Sequence, residues 1–106
     1  MNKVHVVNKN NQNFTKLDEF GEVRYITDGF INTGDINLLI YSIVSKLEEI
    51  RKDDYIVLTG PIILNVIIAH YMLSTYGSMN ILTWSRSKLS YKPQTIQSEL
   101  VNDKKG

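Results

Sequence analysis

The stretch Tyr55-Ile56-Val57-Leu58-Thr59-Gly60-Pro61-Ile62-Ile63-Leu64-Asn65-Val66-Ile67-Ile68-Ala69 decides how this chain folds. Residues 55–59 form a run without a charge, the pattern of a central strand covered on both faces. Gly60-Pro61 then turns the chain straight into a helix predicted over 61–76. Proline suits the first helical position, because the N–H it lacks would be unpaired there anyway. Gly77 is the expected C-terminal stop. Apolar residues surround this helix on nearly every side, so a sheet can cover only one of its flanks.

Upstream, Asp28-Gly29-Phe30-Ile31-Asn32-Thr33-Gly34-Asp35 reads as a loop leading to another helix, with Asp35 or Thr33 as its N-cap. Ile36, Ile40, Ile43, Leu47 and Ile50 fall on one helical face, while Lys46, Glu48, Glu49 and Arg51 turn mostly to water. Val4, Val6 and Val7 mark a first strand, and Val23, Tyr25 and Ile26 a second. Between them Phe14, Leu17 and Phe20 suit a short helical turn. Downstream, residues 79–84 give a fourth strand, and Pro93 limits the chain beyond Ser85 to an edge strand or coil.

Strands alternating with helices imply an α/β fold with a mainly parallel sheet. The expected architecture is a four-stranded, truncated Rossmann-like or flavodoxin-like sheet of order 2-1-3-4, with helices on its faces. Residues 1–101 form its single domain and 102–106 a flexible tail.

The 106 residues are 42% hydrophobic and 22% charged, with a formal net charge of +1 and no cysteine. This balance excludes a disulfide scaffold and a thiolate metal site. It lacks the basic excess of a dedicated nucleic-acid binder. No apolar stretch is long enough to span a bilayer, no secretory leader is evident, and the expected location is cytoplasmic.

In an open sheet of this order, ligands bind beyond the carboxyl ends of the strands where the order reverses, here between the first and third strands. Asn8, Lys9, Thr59 and Gly60 are delivered to that rim. Gly60 lets a ligand approach the backbone, and the helix behind it offers free N–H groups to an anion. A tight turn needs the same glycine for its geometry alone. Asn65 reads equally as a ligand contact or as a structural amide, paired with a loop carbonyl or with its own mate across a dimer. Arg86 and Lys88 could supply charge to an anionic ligand. With Lys92, they interleave with Trp84, Leu89 and Tyr91, a pattern shared by single-strand nucleic-acid grips and ordinary strand ends.

No catalytic constellation, metal site or cofactor motif is recognised. His5 and His70 stand alone, and Ser85 and Ser87 have no evident base. The leading expectation is a non-catalytic, oligomeric binding module for a small anionic, nucleotide-like ligand. Its partner would be a second copy, forming a homodimer or higher oligomer through helix 61–76. The alternatives are a protein-interaction module using that helix, and a metal-dependent hydrolase or nuclease using Asp28, Asp35 or His70.

The run from Asp54 to Pro61, followed by Leu64-Asn65 and later by Gly77 and Asn80-Ile81-Leu82, resembles small Rossmann-like α/β proteins of phages and other mobile elements. That resemblance carries no established activity and no functional residues. It implies a viral or prophage accessory protein, acting in the host cytoplasm.

Overall fold

A computed structural model describes residues 2–100, and the tail expected at 102–106 lies outside them. Strands β1 (Lys3–Lys9) and β2 (Glu22–Asp28) flank a short 3-10 helix (Thr15–Phe20). Helix α1 (Ile36–Glu48), strand β3 (Tyr55–Val57), helix α2 (Ile62–Tyr76) and strands β4 (Ser78–Ser85) and β5 (Ser90–Gln97) come next along the chain. The sheet has five strands in the order β2-β1-β3-β4-β5. The first four are parallel to one another, and β5 lies antiparallel to β4.

The fifth strand corrects the expected four-stranded sheet. Turn 86–89 is too short for a parallel crossover, so the chain can only fold back beside β4. Pro93 sits opposite Leu82 in that hairpin and is tolerated because β5 is an edge strand. Two boundaries also shift. β3 ends at Val57, and Leu58 is left exposed at the rim rather than buried within a longer strand. Pro61 is the N-cap of α2 instead of its first helical residue.

Topology decides which face each helix covers. From β1 the chain steps one way to β2 and then back across to β3 and β4. Right-handed connections therefore put the 3-10 helix on one face and both α-helices on the other. The packing agrees. Val7, Ile26, Ile56 and Met79 meet Leu39, Ile43 and Leu47 of α1 and Leu64, Ile68 and Met72 of α2. Val4, Val6, Val57 and Leu82 pack on the opposite face with Phe14 and Leu17. One short helix cannot span a five-stranded sheet, so this second face is thinly covered over β3 and β4.

Both α-helices end as their sequences require. Asp35 caps α1, its carboxylate accepting the Leu38 N–H at 3.1 Å. Gly77 closes α2 in the left-handed region (φ 74°), donating its N–H to the Leu73 carbonyl at 3.0 Å. α2 is sided less evenly than its composition suggests: Ile63, Ile67 and Leu73 are partly buried, whereas Ile62 and Val66 face outward.

Candidate functional site

A pocket of about 340 Å³ opens at the carboxyl ends of β1, β3 and β4. Asn10 and Gln12 from the loop after β1 form one wall, and Leu58, Thr59 and Gly60 after β3 form another. Val57, Leu82, Trp84 and Tyr91 contribute the apolar side, where the sheet lacks a covering helix. A second hollow, of about 260 Å³, shares Gln12, Trp84 and Tyr91 with the first and adds Asn13. The pocket spans the β1–β3 boundary where the strand order reverses, and its size is that of small-molecule sites, roughly 300–1,000 Å³.

A polar network beneath the rim sets its shape. Asn8 is buried, and its side-chain amide donates to Thr27 Oγ1 at 2.9 Å and to the Gly29 carbonyl at 3.0 Å. The Asn8 N–H donates to Thr59 Oγ1 at 2.9 Å, and that hydroxyl donates back to the Asn8 carbonyl at 2.8 Å. Asn8 therefore bolts together the ends of β1, β2 and the turn after β3. Both hydrogen-bonding capacities of the Thr59 hydroxyl used here are satisfied from inside the fold.

Asn65 Nδ2 donates to the carbonyls of Thr59 and Pro61, each at 2.9 Å, and so holds the turn that starts α2. Asn65 Oδ1 is buried and has no hydrogen-bond partner among the described residues. Among those residues no side chain caps the first turn of α2, while the Leu64 and Asn65 N–H groups bond the Pro61 carbonyl.

The sequence-predicted residues thus separate into distinct places. Thr59 and Gly60 line the pocket, with Asn8 and Asn65 directly behind them. Lys9 points to the β2 side, its ammonium 5.1 Å from the Tyr25 ring centroid. Arg86 and Lys88 are exposed on the β4–β5 turn and do not line the pocket. Among the described residues no cationic side chain forms its wall.

What sequence reading missed is the aromatic wall. Trp84 and Tyr91 face each other across the hairpin, rings edge to face with centroids 5.0 Å apart. Burial raises the Tyr91 hydroxyl pKa above the usual phenol value. Lys16 places its ammonium 5.7 Å from the Trp84 ring centroid and donates to the Leu89 carbonyl at 2.7 Å. The alternation of aromatic and basic residues was visible in the sequence, but only strand pairing shows that the aromatics share a wall.

A second buried polar pair lies at the opposite end of the sheet. His5 Nε2 and Asp54 Oδ2 are 2.8 Å apart, both nearly inaccessible to water. Asp54 also accepts the backbone N–H groups of Lys3 and Arg51, each at 3.0 Å. Burial alone would raise the Asp54 pKa, but those two N–H groups and His5 together hold it below the ordinary 3.8. His70 is exposed on α2, with the Ser74 hydroxyl 3.5 Å from its ring nitrogens. Among the described residues no group of three metal-ligating side chains converges, and no helix is long and apolar enough to cross a membrane.

No curated protein matches the chain. No solved structure matches it either. A family model described as Phage Pam3 gp32-like protein matches residues 2–98. Spanning nearly the whole sequence, that match shows that the chain belongs to the phage Pam3 gp32-like family.

Proposed function

We propose that this phage protein is a non-catalytic binding module with a Rossmann-like frame, holding a small nucleotide-like ligand at the carboxyl ends of its strands. The pocket at the β1–β3 reversal carries this reading. An anionic group has one natural seat, beside Gly60, where α2 begins without a side-chain cap and its dipole is positive. The walls supply amides and aromatic rings but no cation, so binding would rest on the ligand's neutral part as much as on its charge. Thermal-shift measurements on the full chain against nucleotides and cyclic nucleotides test the reading. A saturable rise in melting temperature supports it, and a flat response at millimolar concentrations overturns it.

We also infer that the module self-associates through the outer face of its helices. Ile62 is 82% exposed and Tyr41 86%, with Leu38, Val44 and Val66 beside them in sequence and also exposed. α2 carries no Asp, Glu, Lys or Arg, so a two-fold contact would not set like charges against their own copies. The sheet edges are poorer surfaces. Pro93 leaves β5 without one backbone N–H, and Lys46 Nζ reaches the Tyr25 carbonyl of β2 at 3.4 Å. Light scattering gives the test: a dimer or larger closed assembly is expected, and a monomer at high concentration refutes it.

A further inference from the structure

The hollow at the outer end of the pocket differs chemically from the rim near Gly60. Trp84 and Tyr91 supply its apolar surface, and Gln12 and Asn13 its polar side. Trp84 remains about half exposed although it packs against Tyr91 and Lys16, so its ring is available to a further partner. The Asn13 side-chain oxygen accepts the Thr15 N–H, and the Asn10 oxygen accepts the Gln12 N–H, each at 2.9 Å. Those bonds fold the loop and hold Gln12 beside the aromatic pair. Among the described residues the Gln12 carboxamide makes no bond of its own, leaving both its donor and its acceptor for a ligand.

Exposed aromatic surface, a free carboxamide and a lining without charged side chains, with Lys16 near the Trp84 ring, suit a planar, uncharged heteroaromatic ring with polar edges. They do not suit a bare anion, which would demand a cation or several convergent N–H groups. We propose that this hollow is a nucleobase subsite: the base packs against Trp84 and Tyr91, and its edge is read by Gln12. This rests on the binding reading above and adds what the ligand must carry. Because the two hollows share Gln12, Trp84 and Tyr91, a single nucleotide could place its base here and its phosphate toward Gly60.

Trp84 is the sole tryptophan, so its emission reports on the hollow directly. The full chain is titrated with the four common nucleoside monophosphates, with ribose 5-phosphate and with inorganic phosphate, by fluorescence and calorimetry. Saturable quenching of Trp84 by at least one nucleotide is expected, with ribose 5-phosphate bound about tenfold more weakly or worse. Trp84→Leu should weaken the nucleotide by a similar factor and ribose 5-phosphate by much less. Gln12→Ala, on an exposed loop, gives a second variant that keeps the fold and should weaken the same nucleotide. Ribose 5-phosphate binding as tightly as the nucleotides, with Trp84→Leu neutral, would overturn the base subsite alone. Absence of any binding would overturn the rim reading and this one together. Tight binding of a short single-stranded oligonucleotide, with mononucleotides inert, would replace the small-molecule subsite with a nucleic-acid groove.

Discussion

A β-carbon placed on Gly60 would stand 2.6 Å from the β-carbon of Asn8, so the turn after β3 closes directly onto the end of β1. Gly60 also has φ 79°, in the left-handed region. Two independent constraints therefore require glycine at this point of the rim, whatever binds there.

Gly60→Ala should consequently destabilise the protein. The left-handed backbone alone costs about 1–3 kcal/mol for a residue with a side chain, and the clash with Asn8 adds to it. Urea unfolding measures the loss; a variant as stable as the parent would show that the turn relaxes freely. The double variant Gly60→Ala with Asn8→Gly removes the steric conflict and should recover part of the steric loss, as seen in a double-mutant cycle.

Asn65 separates donation from mere occupancy of its site. Its amide nitrogen serves the Thr59 and Pro61 carbonyls. Asn65→Ala should cost about 1–3 kcal/mol, chiefly by stranding the Thr59 carbonyl, since the Pro61 carbonyl keeps the backbone N–H groups of Leu64 and residue 65. Asn65→Asp should be worse, because a carboxylate would face carbonyl oxygens. The reverse order in chemical denaturation would sink this account of the turn.

Asp54 ties the starts of β1 and β3 together through two hydrogen bonds, to the Lys3 N–H and His5, and a third from the Arg51 N–H closes the turn before β3. Its folded pKa lies below 3.8, so its stabilising contribution is complete above that value and is lost as pH falls through the folded pKa. Asp54→Asn should cost about 1.5–3 kcal/mol near neutrality, as expected for bonds to a charged group. The gap between parent and variant should narrow under strongly acidic conditions. A gap that stays constant down to about pH 2 would contradict the sign argued here.

Glutamates at Ile62 and Val66 test the assembly without touching the core, since both side chains are exposed. The paired substitution should yield a monomer with an unchanged far-ultraviolet spectrum. If the assembly persisted with both charges in place, the interface would have to lie elsewhere.

Much of the frame was legible because local rules carried it. The periodicity of Ile36 through Ile50, the cap at Asp35 and the stop at Gly77 each depend on near neighbours in the chain. The segment after Ser85 was not legible as a partner strand. Its polarity and Pro93 describe an edge without naming what lies beside it. At the rim, Thr59 and Gly60 followed from topology, whereas Lys9, Arg86 and Lys88 reached the same edge of the sheet without lining the pocket. Where a long side chain points depends on packing that sequence position does not encode.

By itself, then, the order of residues determined the alternation of strands and helices and the turn into α2, because periodicity, glycine and proline act over a few positions. Tertiary structure alone decided that Asn8 would hold the Thr59 hydroxyl, that His5 would meet Asp54, and that Trp84 and Tyr91 would form one wall. The Asn8–Thr59 and His5–Asp54 contacts join residues about fifty positions apart, and the aromatic wall exists only once β5 has paired with β4. Their energies arise from strand pairing and burial, which no local pattern specifies.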